Sequence, residues 1–153
     1  MNQAMFQAAM ICGITAVASL ITWLLHEPSQ DRLHCDPSAL AADQICIEQV
    51  PLDAKLLWVD ARSRQLWMRN GMPGSVLWNL DPAEDMNEFE AAVAMRLLDS
   101  PQVIVYCDDE QCGISRQVAE RIRALGMDTE VSILYGGWEA LAEAGLVRSD
   151  QNF

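Results

Sequence analysis

Basic side chains are few. Ten lysines and arginines stand against twenty-two acids, a formal net charge of −12. Binding a polyanion by charge needs a basic face, so nucleic acid and an anionic membrane surface are excluded as electrostatic partners. Histidine is rarer still. His26 and His34 both lie in one polar stretch near the N-terminus, which leaves no recognisable Ser/His/Asp arrangement. No Cys-x2-Cys and no accompanying histidine pair supplies the four ligands of a zinc site, so neither a metal nor a cofactor is expected. Internal repeats and low-complexity tracts are lacking too. The 153 residues suffice for one domain with a real core and not for two.

Charge of either sign is missing from residues 1–25, MNQAMFQAAMICGITAVASLITWLL. From residue 8 onward its polar groups are Thr15, Ser19 and Thr22, whose hydroxyls can bond back to a helix backbone. A bilayer core takes roughly 20 mostly apolar helical residues. The segment therefore predicts one N-terminal transmembrane helix, with Trp23 near the interface. A cleaved signal peptide is the competing reading, and Ala16-Val17-Ala18 has the small residues of a cleavage site. No basic segment precedes it, however, and apolar sequence continues past it. Cys12 reads as a small apolar helix residue. Arg32 is the one basic side chain close on the C-terminal side, so the charge rule speaks weakly. The reading is a single-pass membrane protein with its globular part on the non-cytoplasmic side.

Residues 26–44 are polar, carry Pro28 and Pro37, and read as a linker with a helical turn at 38–42. Residues 45–148 alternate short apolar runs with helical patterns. Strands are predicted at 45–47, 56–60, 75–77, 102–106 and 131–134, and helices at 63–70, after Asp81-Pro82, at 114–125 and at 138–144. Asp is a good N-cap and Pro suits a first turn, so Asp81-Pro82 is read as a helix start. Met86, Phe89, Val93 and Leu97 then fall at spacings of three and four along one face. Gly126 ends the next helix. This alternation predicts an α/β domain in three layers, a central parallel sheet of about five strands covered on both faces.

Five cysteines, Cys12, Cys35, Cys46, Cys107 and Cys112, cannot all pair within one chain. Cys107 stands where the apolar run VIVY ends and a polar loop leads to a helix. Ligands in parallel α/β folds sit at the carboxyl ends of strands. The unpaired N–H groups of a loop entering a helix cradle negative charge and lower a thiol's pKa. A cysteine there is placed for nucleophilic chemistry through an anionic intermediate. Sealed under packed side chains, it could not act as a sulfur carrier. Cys35 and Cys46 would form a disulfide in an oxidising compartment and remain thiols in the cytoplasm. Trp58, Trp67, Trp78 and Trp138 read as packing residues, with Trp138 or Trp78 the candidates for the rim of the site.

Residues 56–145 resemble a rhodanese domain. The matching stretches are LWVDAR at 57–62, with the family's Asp-x-Arg; MPGSV at 72–76, like its His-Ile-Pro-Gly-Ala; VIVYC at 103–107, the strand ending on the active cysteine; and LYGGWEAL at 134–141. The resemblance implies a sulfurtransferase in which Cys107 takes sulfane sulfur from a donor. The sulfur is held as a persulfide and passed to a thiophilic acceptor, a small molecule or a protein thiol. Asp60 and Arg62 would then be buried supports of the loop and sheet.

The active-site loop, Asp108, Asp109, Glu110, Gln111, Cys112, Gly113, Ile114, Ser115 and Arg116, departs from that pattern. Its stretch Asp108–Ile114 is about two residues longer than the family's usual loop. Three acids beside the thiol raise its pKa and repel anionic donors such as thiosulfate. Arg116 is the one compensating cation in the loop. Cys112 is read either as a resolving thiol or as a small residue closing the loop. Gly113 is expected to supply an unusual backbone angle, and Ser115 to cap the helix. Two other classes compete with sulfur transfer: a thiol–disulfide redox protein cycling Cys107 and Cys112, and a non-catalytic module that docks a basic partner through its acidic loop.

Overall fold

The computed structural model describes residues 35–52, 55–100, 102–108 and 113–148. The apolar segment 1–25 and residues 26–34 of the expected linker lie outside the described residues. Among those described, no helix is long and apolar enough to cross a membrane. Five strands and four α-helices follow one another: β1 (Gln44–Ile45), β2 (Leu56–Asp60), α1 (Arg64–Asn70), β3 (Val76–Leu77), α2 (Met86–Leu97), β4 (Gln102–Tyr106), α3 (Gly113–Ala124), β5 (Glu130–Leu134) and α4 (Gly137–Glu143). The sheet is parallel throughout, in the order β1-β5-β4-β2-β3. The expected parallel α/β sheet, covered on both faces, is thus what the chain forms.

β4 is the centre, and its run Val103–Ile104–Val105–Tyr106 is fully buried. Each such apolar side chain stabilises the fold by roughly 1.5–3 kcal/mol relative to an exposed position. Strand side chains alternate between faces. Leu57, Val59, Val103 and Val105 meet Phe89, Val93 and Leu97 of α2 and Val118, Ala119 and Ile122 of α3. Trp58, Ile104 and Tyr106 instead meet Ala140 and Leu141 of α4, together with Val50 and Val147.

Two boundaries differ from the sequence reading by more than one residue. Asp81 does not start α2. Its carboxylate accepts from the Ala83 N–H at 2.9 Å and its carbonyl from the Glu84 N–H at 3.0 Å, closing a turn. Asp85 is the cap instead, accepting from the Asn87 N–H at 2.9 Å; the apolar spacing from Met86 onward is as read. Glu84, left in the turn, is gripped by Nε and Nη2 of Arg64 at 2.7–3.0 Å. The Arg64 hydrogen bonds hold its carboxyl below the ordinary glutamate value. The first strand also ends early, at Ile45, because Cys46 starts a single 3-10 turn, Ile47–Gln49, in which the Gln49 side chain accepts from the Cys46 N–H at 3.2 Å.

Cys46 is disulfide-bonded to Cys35, with Cα atoms 5.8 Å apart. The bridge ties the chain entering the domain to the end of a two-residue edge strand that has β5 alone as its neighbour. Closing a loop of this length stabilises by roughly 2–4 kcal/mol. Cys35→Ser is therefore expected to lower the unfolding free energy by about that amount, read from the urea midpoint. An unchanged midpoint would show that β1 holds its place without the bridge.

Candidate active site

Cys107 directly follows β4 and is clasped from the α4 side. Its carbonyl accepts from the Trp138 N–H at 2.8 Å. Gly137 lies so close that a Cβ built on it would collide with the Cys107 carbonyl oxygen, and its φ is 51°. Only glycine meets both demands easily. The Cys107 side chain joins the opposite cluster, with Ala61, Leu77, Trp78, Val118 and Ala119. Neighbours Tyr106 and Cys107 therefore serve opposite layers. Cys107 is 3 % exposed, far more enclosed than an open mouth predicts.

The helix of a parallel crossover runs back along the sheet, so α3 opens its N-terminus at the carboxyl end where Cys107 lies. The first N–H groups of a helix have no intrahelical acceptor.

On the α4 side a buried polar network spans the same end of the sheet. Asp60 and Tyr106 are register partners across β2 and β4, and the Tyr106 hydroxyl donates to Asp60 Oδ2 at 2.8 Å. Arg62 binds the same carboxylate as a fork, Nε to Oδ1 at 3.0 Å and Nη2 to Oδ2 at 2.9 Å, with its backbone N–H adding a third bond at 2.9 Å. The Tyr106 oxygen accepts from the Met72 N–H at 2.9 Å. Arg62 Nη1 reaches Asn70 Oδ1 at 3.2 Å, and the Asn70 carbonyl accepts from Trp138 Nε1 at 2.8 Å. The guanidinium lies over the rings of Tyr106 and Trp138, 5.6 and 5.3 Å from their centroids. Burial opposes the charge on Arg62, yet Asp60 above all, with Asp108 and Tyr106, holds it above arginine's ordinary value. Burial first, and then the charge of Asp60, pushes the Tyr106 hydroxyl above the ordinary tyrosine value.

Asp60 and Arg62 are thus buried and hydrogen-bonded at the base of the loop. Asp108 is turned outward, its side chain 53 % exposed, with Oδ1 3.4 Å from Arg62 Nη1. Asp109, Glu110, Gln111 and Cys112 lie outside the described residues. Three readings of the loop's far end need correction. Gly113 is the first residue of α3 and is not among the glycines of positive φ, because a helix start needs the ordinary right-handed angles. Ser115 lies inside α3 and faces the sheet, so it is buried rather than capping. Arg116 turns to Asp43, Nε to Oδ2 at 3.2 Å, so its charge is engaged by a carboxylate beside β1. Ile114 is exposed. Of the two candidate rim tryptophans, Trp138 borders Cys107 and Trp78 is buried in the apolar cluster.

Sequence reasoning missed Tyr106, Asn70 and the close approach of Gly137. The available signals were a polar tip closing an otherwise apolar strand, and two adjacent glycines one residue beyond β5.

The fold and this end of the sheet define a layered parallel α/β domain with a cysteine at a strand's carboxyl end, ahead of a helix. The family model for the rhodanese-like domain matches residues 48–144, and the chain belongs to that family. Among solved structures, an N-terminal domain from Clostridium difficile 630 shares the fold at 17 % identity and a TM-score of 0.53, over 67 % of this chain and 98 % of that one. The BH2092 protein from Bacillus halodurans does so at 18 % identity and a TM-score of 0.54, over 69 % of this chain and 76 % of the other. No curated protein matches the chain.

Gly137→Ala is expected to force Cys107 and α4 apart at a cost of roughly 1–3 kcal/mol from the strained backbone alone. A urea midpoint equal to wild type would refute the contact. Tyr106→Phe leaves the buried Met72 N–H without its acceptor and should cost about 1–3 kcal/mol at neutral pH. Because the folded-state value of Tyr106 is raised, its contribution is fully present below the unfolded tyrosine value of about 10 and is lost as pH climbs beyond it. Wild type should therefore lose more stability than Tyr106→Phe between about pH 9 and about pH 11. Parallel losses would remove that linkage.

Proposed function

We propose that this chain is a membrane-anchored, single-domain sulfurtransferase carrying sulfane sulfur on Cys107. The observation that carries the reading is a family-matched strand that ends on a cysteine, with α3 opening its N-terminus at the same end of the sheet. In the first half-reaction the Cys107 thiolate attacks the outer sulfur of a donor persulfide, R–S–SH. The donor's S–S bond breaks, RS⁻ leaves, and Cys107–S–SH forms. An acceptor thiolate then attacks that outer sulfur, restoring the Cys107 thiolate and leaving the acceptor as its persulfide. No electrons are gained or lost overall.

Asp108 on the rim disfavours dianionic donors, so the substrate class is a neutral or cationic persulfide or a protein-borne one. Residues 1–25 serve as a single-pass anchor. The Cys35–Cys46 disulfide supports a domain working on the non-cytoplasmic side, since such bonds persist in oxidising compartments. One observation opposes this reading and favours a second: Cys107 is enclosed among apolar side chains, so a carrier requires those side chains to open to the donor, whereas a binding module that keeps the fold without the chemistry requires no such access.

The test is to incubate the reduced full chain with cysteamine persulfide, whose ammonium group suits an acidic rim, and to weigh the peptide containing Cys107. One added sulfur atom is expected, absent in Cys107→Ser, with thiosulfate loading the site far more slowly. If no donor loads the chain, and iodoacetamide does not alkylate Cys107 in the folded protein, the module reading replaces the enzyme.

A further inference from the structure

Trp78 Nε1 and Ser115 Oγ are buried side-chain groups without a hydrogen-bond partner among the described residues. Leaving a polar group so costs about 1–3 kcal/mol, and in a native fold it calls for a reason. For Ser115 the placement supplies one. The residue is 0 % exposed and lies in the first turn of α3. It shares the buried face of that helix with Val118, Ala119 and Ile122, which pack in the same cluster as Cys107. Helical Cα–Cβ bonds tilt toward the helix N-terminus. The Ser115 Cα–Cβ bond therefore leans toward the N-terminal end of α3, the end of the sheet that Cys107 occupies. The cation expected to help there, Arg116, is bound to Asp43.

We infer that the Ser115 hydroxyl donates a hydrogen bond to the outer sulfur of a Cys107 persulfide, so that a neutral group binds the anion where no arginine does. This rests on the sulfur-carrier reading. A persulfide places its outer atom about 2 Å beyond Sγ along the S–S bond, extending the sulfur on the layer that Ser115 faces. Hydrogen bonds to ionised acceptors are about twice as strong as neutral ones. The hydroxyl keeps its proton throughout; it holds the anion and is not an acid in the transfer. An uncharged donor also suits a site with Asp108 at its rim, since it adds no charge for that carboxylate to capture.

Wild type and Ser115→Ala, both as the full chain, are loaded with cysteamine persulfide, and the Cys107 adduct is followed by mass over time and across pH. Wild type should load. In Ser115→Ala the adduct should decay at least about tenfold faster, the factor that a hydrogen bond to a charged group is worth. The pH at which the persulfide becomes reactive toward iodoacetamide should rise. The melting temperature should stay level or increase, because the hydroxyl has no partner to lose. That split between fold and chemistry is what a packing role would not produce. Equal adduct lifetimes and pH profiles in the two proteins would overturn the inference while leaving the carrier intact. A lower melting temperature with unchanged adduct lifetime would overturn it in favour of a structural serine. Failure of wild type to load would instead remove the carrier reading itself.

Discussion

Asp60 is a carboxylate with no solvent contact at the end of a central strand, and the carboxyl end of the sheet is arranged around it. Arg62 forks onto it, Tyr106 donates to it from the next strand, and through these two it reaches Met72, Asn70, Trp138 and Asp108. Those partners come from segments as much as 68 residues apart. A buried ion pair is weak evidence for net stability, because desolvation opposes it, but removing one member leaves the other uncompensated and is strongly unfavourable. The cluster is therefore better understood as fixing where four loops meet than as a source of cohesion, which the apolar layers provide.

This polar cluster and the Cys107 sulfur belong to different layers. Tyr106 sends its side chain toward α4 and Cys107 sends its own toward α2 and α3. Asp60 and Arg62 thus act on the sulfur only through the backbone, by holding the strand ends and by meeting Asp108 at the rim. Among the described residues, the groups that share a layer with the sulfur are apolar side chains, the indole of Trp78 and the buried hydroxyl of Ser115. In the sulfur-carrier reading, electrostatic support for an anion there falls to the orientation of α3 and its first N–H groups, since Arg62 and Arg116 are both engaged by carboxylates.

The order of strands and helices was legible because it is carried by local patterns: apolar runs for strands, and the spacing of Met86, Phe89, Val93 and Leu97 for α2. The position of Cys107 at a strand end was legible for the same reason. What escaped was set by choice among near-equals or by distance. Asp81 and Asp85 are both competent caps, and the turn at 81–84 decides between them. Arg116 meets Asp43 across 73 residues of sequence, and Tyr106 meets Asp60 across 46. No periodicity encodes such pairings. Gly113 was read through the habits of glycine in loops, whereas here it opens a helix. The Gly137 contact was invisible because the partner is backbone, which leaves no mark on composition.

The two borders of the stretch between Cys107 and Gly113 are fastened by separate means. At one, Trp138 and Gly137 grip the Cys107 main chain; at the other, Val118, Ala119 and Ile122 seat α3 on the sheet. A connection between independently secured ends can change length with little penalty, since closure entropy grows only with the logarithm of length. Two further residues in a loop of about five cost only about 0.3 kcal/mol. Such a scaffold can retune what its rim admits by insertion alone, with no compensating change in the layers beneath.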